Sequence, residues 1–268
     1  MLLAVDIGNS NIAFGIYDQQ WKQQWKQQWR LSTVASKTSD EYAIQFRALF
    51  DHQKINAAAI QQVVISSVVP PLTQVFQRML RQLTGQEPLV VSSNLRTGLT
   101  ITTDNPQELG TDLLANAVAG YQRFGTNCII VDFGTALSLI TVSGEGEIKG
   151  VSIAPGLESA LKALSLNTAQ LPFVPLAPPP SVLGKNTTHA IQSGVVLGHV
   201  GLVEYLVDRI KAELNGPTQV IATGGLSEVV APLTDRFTAI EPWLTLDGLR
   251  LLAEQNRGAT LVSETEGS

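Results

Sequence analysis

One cysteine and three histidines are all the thiol and imidazole ligands that 268 residues offer. A single thiol cannot build a disulfide framework, which fits a reducing compartment, and Cys128 lies in an apolar run that reads as a buried strand. His52, His189 and His199 show no ligand spacing, so no zinc site is expected. Positive charge is scarce too. The 18 Lys and Arg against 23 Asp and Glu leave a net charge of −5 with no basic stripe, and nucleic acid is not an expected partner. No apolar run reaches the roughly 18 residues that a bilayer span needs. The opening residues carry no basic segment ahead of an apolar one and are interrupted at once by Asp6, which reads against a signal peptide. The expectation is a cytoplasmic protein with no membrane partner. There is no Gly-x-x-x-x-Gly-Lys-Ser/Thr loop, and Gly144, Gly146 and Gly150 lack the spacing of a dinucleotide fingerprint. A nucleotide, if used, is bound through neither of those folds.

What is present is organised around the first residues. Leu3-Ala4-Val5 runs into Asp6-Ile7-Gly8-Asn9-Ser10-Asn11, and Ile12-Ala13-Phe14-Gly15-Ile16-Tyr17 follows: strand, small polar turn, strand. Gly8 has no Cβ, so a large group can approach the backbone there. Turns of this kind aim N–H groups into a concavity, and an aspartate at a strand end can hold a magnesium–water shell. Taken alone, Asp-x-Gly-Asn is also an ordinary hairpin turn. The layout recurs, however. Cys128-Ile129-Ile130-Val131-Asp132-Phe133-Gly134-Thr135 leads into Ala136-Leu137-Ser138-Leu139-Ile140. The offset from Asp6 to Asp132 is 126 residues, close to half the chain, and suggests a duplicated α/β domain. Two such domains, expected over 1–112 and 113–268, would face both turns into one cleft.

Between and beyond the turns, Trp21-Lys22-Gln23-Gln24-Trp25-Lys26-Gln27-Gln28-Trp29-Arg30 repeats a four-residue unit that extends a third strand. Spacing by four places the tryptophans on one side of that strand, as an aromatic contact surface or merely as a longer hairpin. Thr38 and Glu41 form a capping box for a helix with Ala43, Phe46, Leu49 and Phe50 on one face. Val63 to Val69 reads as a buried strand, Pro70-Pro71 opens a helix that Gly85 closes, and Leu89 to Val91 is another strand. Thr103 to Asp112 is a loop turning into a helix over 113–124, with Asp112 in the first turn, where an acid also serves the helix dipole. Five of the thirteen prolines lie in 171–180, a stiff connector. The long helix over 190–214 carries Gly194, Gly198 and Gly201, whose use is close packing on a neighbouring helix or a partner subunit. Thr223-Gly224-Gly225 is a strand-to-helix turn or an adenine or ribose contact. A last helix is expected over 246–256, closed by Gly258, before a frayed tail at 263–268.

Together Asp6-x-Gly8-Asn9-Ser10-Asn11, Ser66-Ser67-Val68-Val69-Pro70, Asn105-Pro106-x-Glu108-Leu109-Gly110-Thr111-Asp112, Asp132-Phe133-Gly134-Thr135, Pro155-Gly156, Gly184-Lys185-Asn186-Thr187 and Thr223-Gly224-Gly225 resemble the type III pantothenate kinase family over nearly the whole chain. The resemblance implies the actin-like, ribonuclease-H-type fold of two duplicated domains, and transfer of a phosphoryl group from ATP to pantothenate. It implies that Asp6, Ile7, Gly8, Asn9, Ser10, Asn11, Ile12 and Ala13 cradle the ATP phosphates with their Mg2+. Thr135 would contact ATP, Asp132 would bind K+ or NH4+, and Asp112 would be the base. Gly110, Thr111, Asp112, Leu113, Thr187 and Thr103 would line the acceptor site, at the interface of a homodimer. A helix N-terminus beside Asp112 is expected to hold it ionised. Leu113 stands where the family usually has arginine, and Thr103 where it commonly has an aromatic residue; Arg123 and Lys185 are the candidate replacement cations. A non-catalytic regulatory relative and a kinase for another small alcohol are the alternatives.

Overall fold

The computed structural model describes residues 1–18 and 24–257. Trp21, Gly258 and the tail at 263–268 therefore lie outside the described residues. The chain opens with β1 (Leu2–Ile7), β2 (Asn11–Asp18) and β3 (Gln24–Ser32), followed by α1 (Ser39–His52) and β4 (Gln62–Ser67). Next come α2 (Pro70–Thr84), β5 (Leu89–Val90), β6 (Thr100–Ile101) and α3 (Thr111–Phe124). The second half runs through β7 (Asn127–Phe133), β8 (Ala136–Val142), β9 (Glu147–Pro155), α4 (Leu157–Asn167), α5 (Thr187–Gln192) and α6 (Gly198–Glu213). It ends with β10 (Thr218–Thr223), α7 (Ser227–Val230), β11 (Ala239–Ile240) and α8 (Leu244–Gln255).

Both halves use one topology. The first sheet has the order β3-β2-β1-β4-β5, and the second repeats it as β9-β8-β7-β10-β11 with β6 added beside β9. In each, the first three strands are antiparallel neighbours and the next two add in parallel. This is the duplicated ribonuclease-H-like, actin-like architecture. Alternation along the strands explains the layering. Leu3, Val5 and Ile7 face an outer core with α1 and α2, while Leu2 and Ala4 face a central core. Likewise Ile129, Val131 and Phe133 face the outer helices of the second half, and Cys128 and Ile130 face the centre. The central layer is the helix pair α3 and α8. α8 lies on the first sheet, α3 on the second, and Gly248 meets the backbone of Ala115 where they touch. Burial drives the Cys128 thiol up to about 12, so it stays a protonated core group.

Local signals read as expected at several points. Thr38 and Glu41 make the reciprocal capping box, and Gly85 ends α2 in the left-handed conformation at φ +73°. On α1 it is Tyr42, Phe46 and Phe50 that are fully buried, because Tyr42 turns inward to hydrogen-bond the Val34 carbonyl at 3.0 Å. The long helix starts at Thr187, earlier than the sequence pattern, and contains a π-turn over 193–197 between α5 and α6. By length and composition alone the continuous helix 187–213 could cross a membrane, contrary to expectation, but Val196, Val203 and Val207 bury it against the second sheet.

The tryptophan repeat departs from its pattern. A β-bulge at Lys26 shifts the register, so that Phe14 faces Trp29 but Tyr17 faces Trp25. One extra residue exchanges faces, and the two rings end on opposite sides of the sheet. Trp29 stacks on Phe14 at 5.0 Å in the outer core. Trp25 packs edge-on to Tyr17 and donates from Nε1 to Asp247 of α8 at 2.8 Å. The two described tryptophans of the repeat are anchors, not a shared contact surface.

Candidate active site

Asp6 and Asp132 occupy equivalent places. Each is the last central-facing residue of its strand, so each puts a carboxylate where its neighbours put core side chains. There the two sheets diverge and leave a cleft of about 430 Å³. Gly8 closes the first turn by donating to the Asn11 carbonyl at 3.0 Å, and Gly134 closes the second by donating to Ala136 at 3.1 Å. Residues just past the third strand of each half reach back to hold the turn. Thr33 N–H donates to Ser10 at 3.0 Å, and Gly156 N–H to Thr135 at 3.1 Å. Ser159 adds a 2.6 Å hydroxyl bond to the Thr135 carbonyl. The two turns then meet: the Ser10 and Thr135 hydroxyls are 2.7 Å apart.

The third carboxylate comes from the helix between the sheets. Gly110 is the N-cap of α3, Thr111 its first residue and Asp112 its second. Thr111 Oγ1 lies 2.9 Å from Ser66 Oγ of β4, which ties the helix start to the strand beside Asp6. Asp112 folds back over its own turn and accepts the Leu113 N–H at 2.8 Å. A Cβ on Gly110 would lie 2.5 Å from Asp112 Oδ1, so glycine is what lets that carboxylate sit there. Asp132 is steadied from both central helices. Asn116 of α3 donates to it at 3.0 Å and in turn accepts from Thr245 of α8 at 2.8 Å. Gly224, at φ +89°, leaves the space that the Asp132 carboxylate occupies.

Arg30 completes the cleft. Ala13 pairs with both Asp6 and Arg30, so Ser66, Asp6, Ala13 and Arg30 form one cross-strand row on the central face. Nothing in the spacing of the sequence marked Arg30; the signal is the pairing register of an edge strand. Arg123 instead pairs with Glu241 at 2.7 Å, and Lys185 is exposed ahead of α5. Leu113 lines the cleft and packs in the central core. Among the other expected residues, Asn9, Asn11 and Ala13 line the cleft with Gly8, Ser10 and Thr135. Ile7 and Ile12 turn their side chains into the outer core and have only backbone to offer. Gly110 and Thr111 sit behind Asp112 as its support. Thr187, exposed at the start of α5, and Thr103, whose buried hydroxyl lacks a partner, do not line this cleft.

Electrostatics set the character of the site. Burial, then the Asp112 and Asp132 charges, push Asp6 up to about 8 against the pull of the Ser66 hydroxyl and Arg30. Burial and Asp112 push Asp132 up to about 6, opposed by Asn116 and Arg30. Burial also raises Asp112, more than the first-turn amides lower it, so the helix start does not offset the cost of burying this carboxyl. Among the described residues no three acidic, imidazole or thiol side chains come close enough to hold a metal ion unaided. The donor set fits a hard cation that is shared with other oxygens. Thr223, in register with Asp132, also keeps a buried hydroxyl without a partner.

A folded-state pKa above the unfolded value means that Asp6 keeps a proton which the unfolded chain has lost. Ligand-free stability therefore falls as pH rises from about 4 to about 8. Asp6→Asn is expected to flatten that slope and to raise ligand-free stability at pH 8 by on the order of 2 kcal/mol, below the full linkage value because the cleft is open to solvent. Urea unfolding in chelator at pH 5 and pH 8 measures it; an unchanged difference between the two pH values refutes the assignment.

The chain is similar to known proteins over nearly its whole length. A family model described as type III pantothenate kinase matches residues 2–209. A type III pantothenate kinase of Geobacter sulfurreducens is 45% identical over 262 residues, covering 96% of this chain and 100% of its own. That of Roseiflexus sp. is 45% identical over 257 residues with the same coverage. Among solved structures, the activator of 2-hydroxyisocaproyl-CoA dehydratase from Clostridium difficile, with bound ADPNP, aligns over 99% of both chains at a TM-score of 0.51 and 12% identity, a likeness of fold.

Proposed function

The chain belongs to the type III pantothenate kinase family, and from that premise we infer that it transfers the γ-phosphoryl group of ATP to the terminal hydroxyl of pantothenate, the first step towards coenzyme A. The observation that carries the reading is the meeting of two Asp-x-Gly turns through Ser10 and Thr135, beside an aspartate at a helix start. Phosphoryl transfer asks the protein mainly for positioning and charge neutralisation, and this cleft supplies both.

In this reading Asp112 takes the hydroxyl proton as the alcohol oxygen attacks the γ-phosphorus. The bond from phosphorus to the β–γ bridging oxygen breaks, and ADP leaves. The 6–13 turn holds the nucleotide phosphates through its backbone and through Asn9, Ser10 and Asn11, with Thr135 opposite. Asp112 and Leu113 contact the acceptor, with Gly110 and Thr111 supporting them from the start of α3; Thr187 and Thr103, which lie outside this chain's cleft, would meet the acceptor only across the homodimer interface. Asp6 would hold Mg2+ indirectly, and Asp132 would hold K+ or NH4+, with the Thr223 hydroxyl in register beside it. Such cations would supply the positive charge that the phosphates and the three clustered carboxylates call for. The upward-shifted Asp6 and Asp132 are what that demand looks like from the protein's side. We place the boundary of the two domains at Asp112, and the protein in the cytoplasm.

A homodimer is the second element of the proposal. Gly194, Gly198, Gly201 and Tyr205 fall on one helical stripe, and a Cβ at each glycine would meet nothing within 4 Å in this chain. Tyr205, Val182 and Leu183 are 66%, 70% and 79% exposed, which is apolar surface suited to a second copy.

Mass spectrometry of product from the purified protein with ATP, Mg2+, K+ and pantothenate tests the function. Phosphopantothenate is expected. Phosphorylation of another small alcohol in its place would assign Leu113 and Thr103 to a different acceptor, and no product at all would favour a binding module. Turnover that survives removal of K+ and NH4+ would strip Asp132 of its cation. Full activity of a monomer at nanomolar concentration would remove the shared interface.

A further inference from the structure

Among the described residues Arg30 is the one cationic side chain that lines the cleft, and no role above uses it. The sheet fixes its position: it sits two strands from Asp6 on the same cross-strand row. Its guanidinium then crosses to the second half of the molecule. It lies 4.5 Å from the centre of the Trp243 ring, and Nη2 donates to the Pro242 carbonyl at 3.1 Å. Nη1 reaches the Gly224–Gly225 turn, where a Cβ on Gly225 would lie 2.6 Å from it. The guanidinium thus occupies ground that any other residue at 225 would contest.

Its partners are unusual for a cation that lines one cleft with three carboxylates. Its charge is felt at both Asp6 and Asp132. Yet none of the ion pairs among the described residues includes it. Its hydrogen bond goes to a neutral carbonyl, and stacking on an indole holds the planar group in one orientation. An arginine held by neutral partners keeps its full charge and most of its five donors for an anion. A guanidinium suits phosphate oxygens because two of its N–H groups can bond them in parallel.

We propose that Arg30 binds the polyphosphate of ATP, as a side-chain cation placed between the Asp6 and Asp132 turns. This rests on the reading of the cleft as a nucleotide-dependent kinase site. The chemistry of the proposal is electrostatic: Arg30 exchanges no proton and forms no bond, and it neutralises charge that shifts toward the β–γ bridging oxygen as the γ-phosphoryl group leaves.

Calorimetric binding of MgATP and of adenosine, together with steady-state kinetics on pantothenate, tests it in Arg30→Gln, Arg30→Lys and Trp243→Leu. Arg30→Gln is expected to weaken MgATP binding about 100-fold and to leave adenosine binding unchanged, since adenosine carries no phosphate. Arg30→Lys should recover part of the loss as a point charge without the fork, and it keeps the test open should the Gln variant not fold. Equal losses for ATP and adenosine, reproduced by Trp243→Leu, would overturn the proposal and make Arg30 a clasp between the two halves. A loss confined to the KM for pantothenate would also overturn it, assigning the guanidinium to the acceptor's carboxylate. Wild-type protein that makes no phosphopantothenate but binds ATP with this Arg30 dependence would refute the acceptor reading and leave the proposal standing.

Discussion

Asp112→Asn is expected to lower kcat by about 1,000-fold while leaving the fold and the affinity for MgATP intact. The substitution keeps size and shape. The amide oxygen can still accept the Leu113 N–H, so the first turn of α3 keeps its bond, and Gly110 still leaves room for it. What is lost is the one function an amide cannot perform, which is to take a proton from the attacking hydroxyl. A second signature follows from the charge arrangement. Asp112 is among the causes that push Asp6 and Asp132 upward, so removing its charge should lower both. Ligand-free stability at pH 8 should therefore rise slightly in the same variant that loses turnover. Single-turnover kinetics and an unfolding series at two pH values read the two effects. Turnover within tenfold of the wild type would remove Asp112 as the base.

The largest expected effect on stability lies away from the cleft, at Gly248. α8 approaches α3 so closely there that a Cβ would run into the carbonyl of Ala115, with the carbonyl carbon and Cα of that residue also in the way. These are backbone atoms of a helix interior and cannot rotate aside. Gly248→Ala has to push the central helices apart, and the cost is expected to be about 3 kcal/mol, a fall in Tm of about 5 °C for a chain of this size. The damage should reach the site as well. α3 carries Asp112 and Asn116, and α8 is immediately preceded by Trp243, against which Arg30 stacks. Differential scanning calorimetry and the KM for ATP, measured on one preparation, check both expectations; unchanged values would mean that the helix pair yields more easily than its backbone contact implies.

The parts of this architecture that the sequence discloses are those fixed by neighbours along the chain. Asp6 and Asp132 are legible because each interrupts an alternating strand at its end and is followed by a glycine turn. The capping box at Thr38 and Glu41 and the Pro70–Gly85 frame of α2 are legible because caps act within four residues. What escaped is set by distant partners. The face occupied by Trp25 depends on a bulge that only the pairing of β2 with β3 defines. Arg30 enters the cleft through the register of an edge strand. Asn116 looks like one polar residue in an apolar helix until Asp132 and Thr245 are found on either side of it. The glycines of the 187–213 helix show the limit of local reasoning differently. Their spacing predicts close packing, yet within one chain they face open space.

The four-residue unit that leads into β3 has a consequence for how this gene can vary. Trp-Lys-Gln-Gln occurs twice in succession at 21–28, so loss of either copy yields the same polypeptide. The surviving copy brings the same four letters up to Trp29 and Arg30. Its tryptophan is again the one four residues before Trp29, the position from which Trp25 reaches Asp247. Contraction or expansion of this tract by whole units therefore leaves unaltered the letters of the strand segment that carries Arg30 into the cleft.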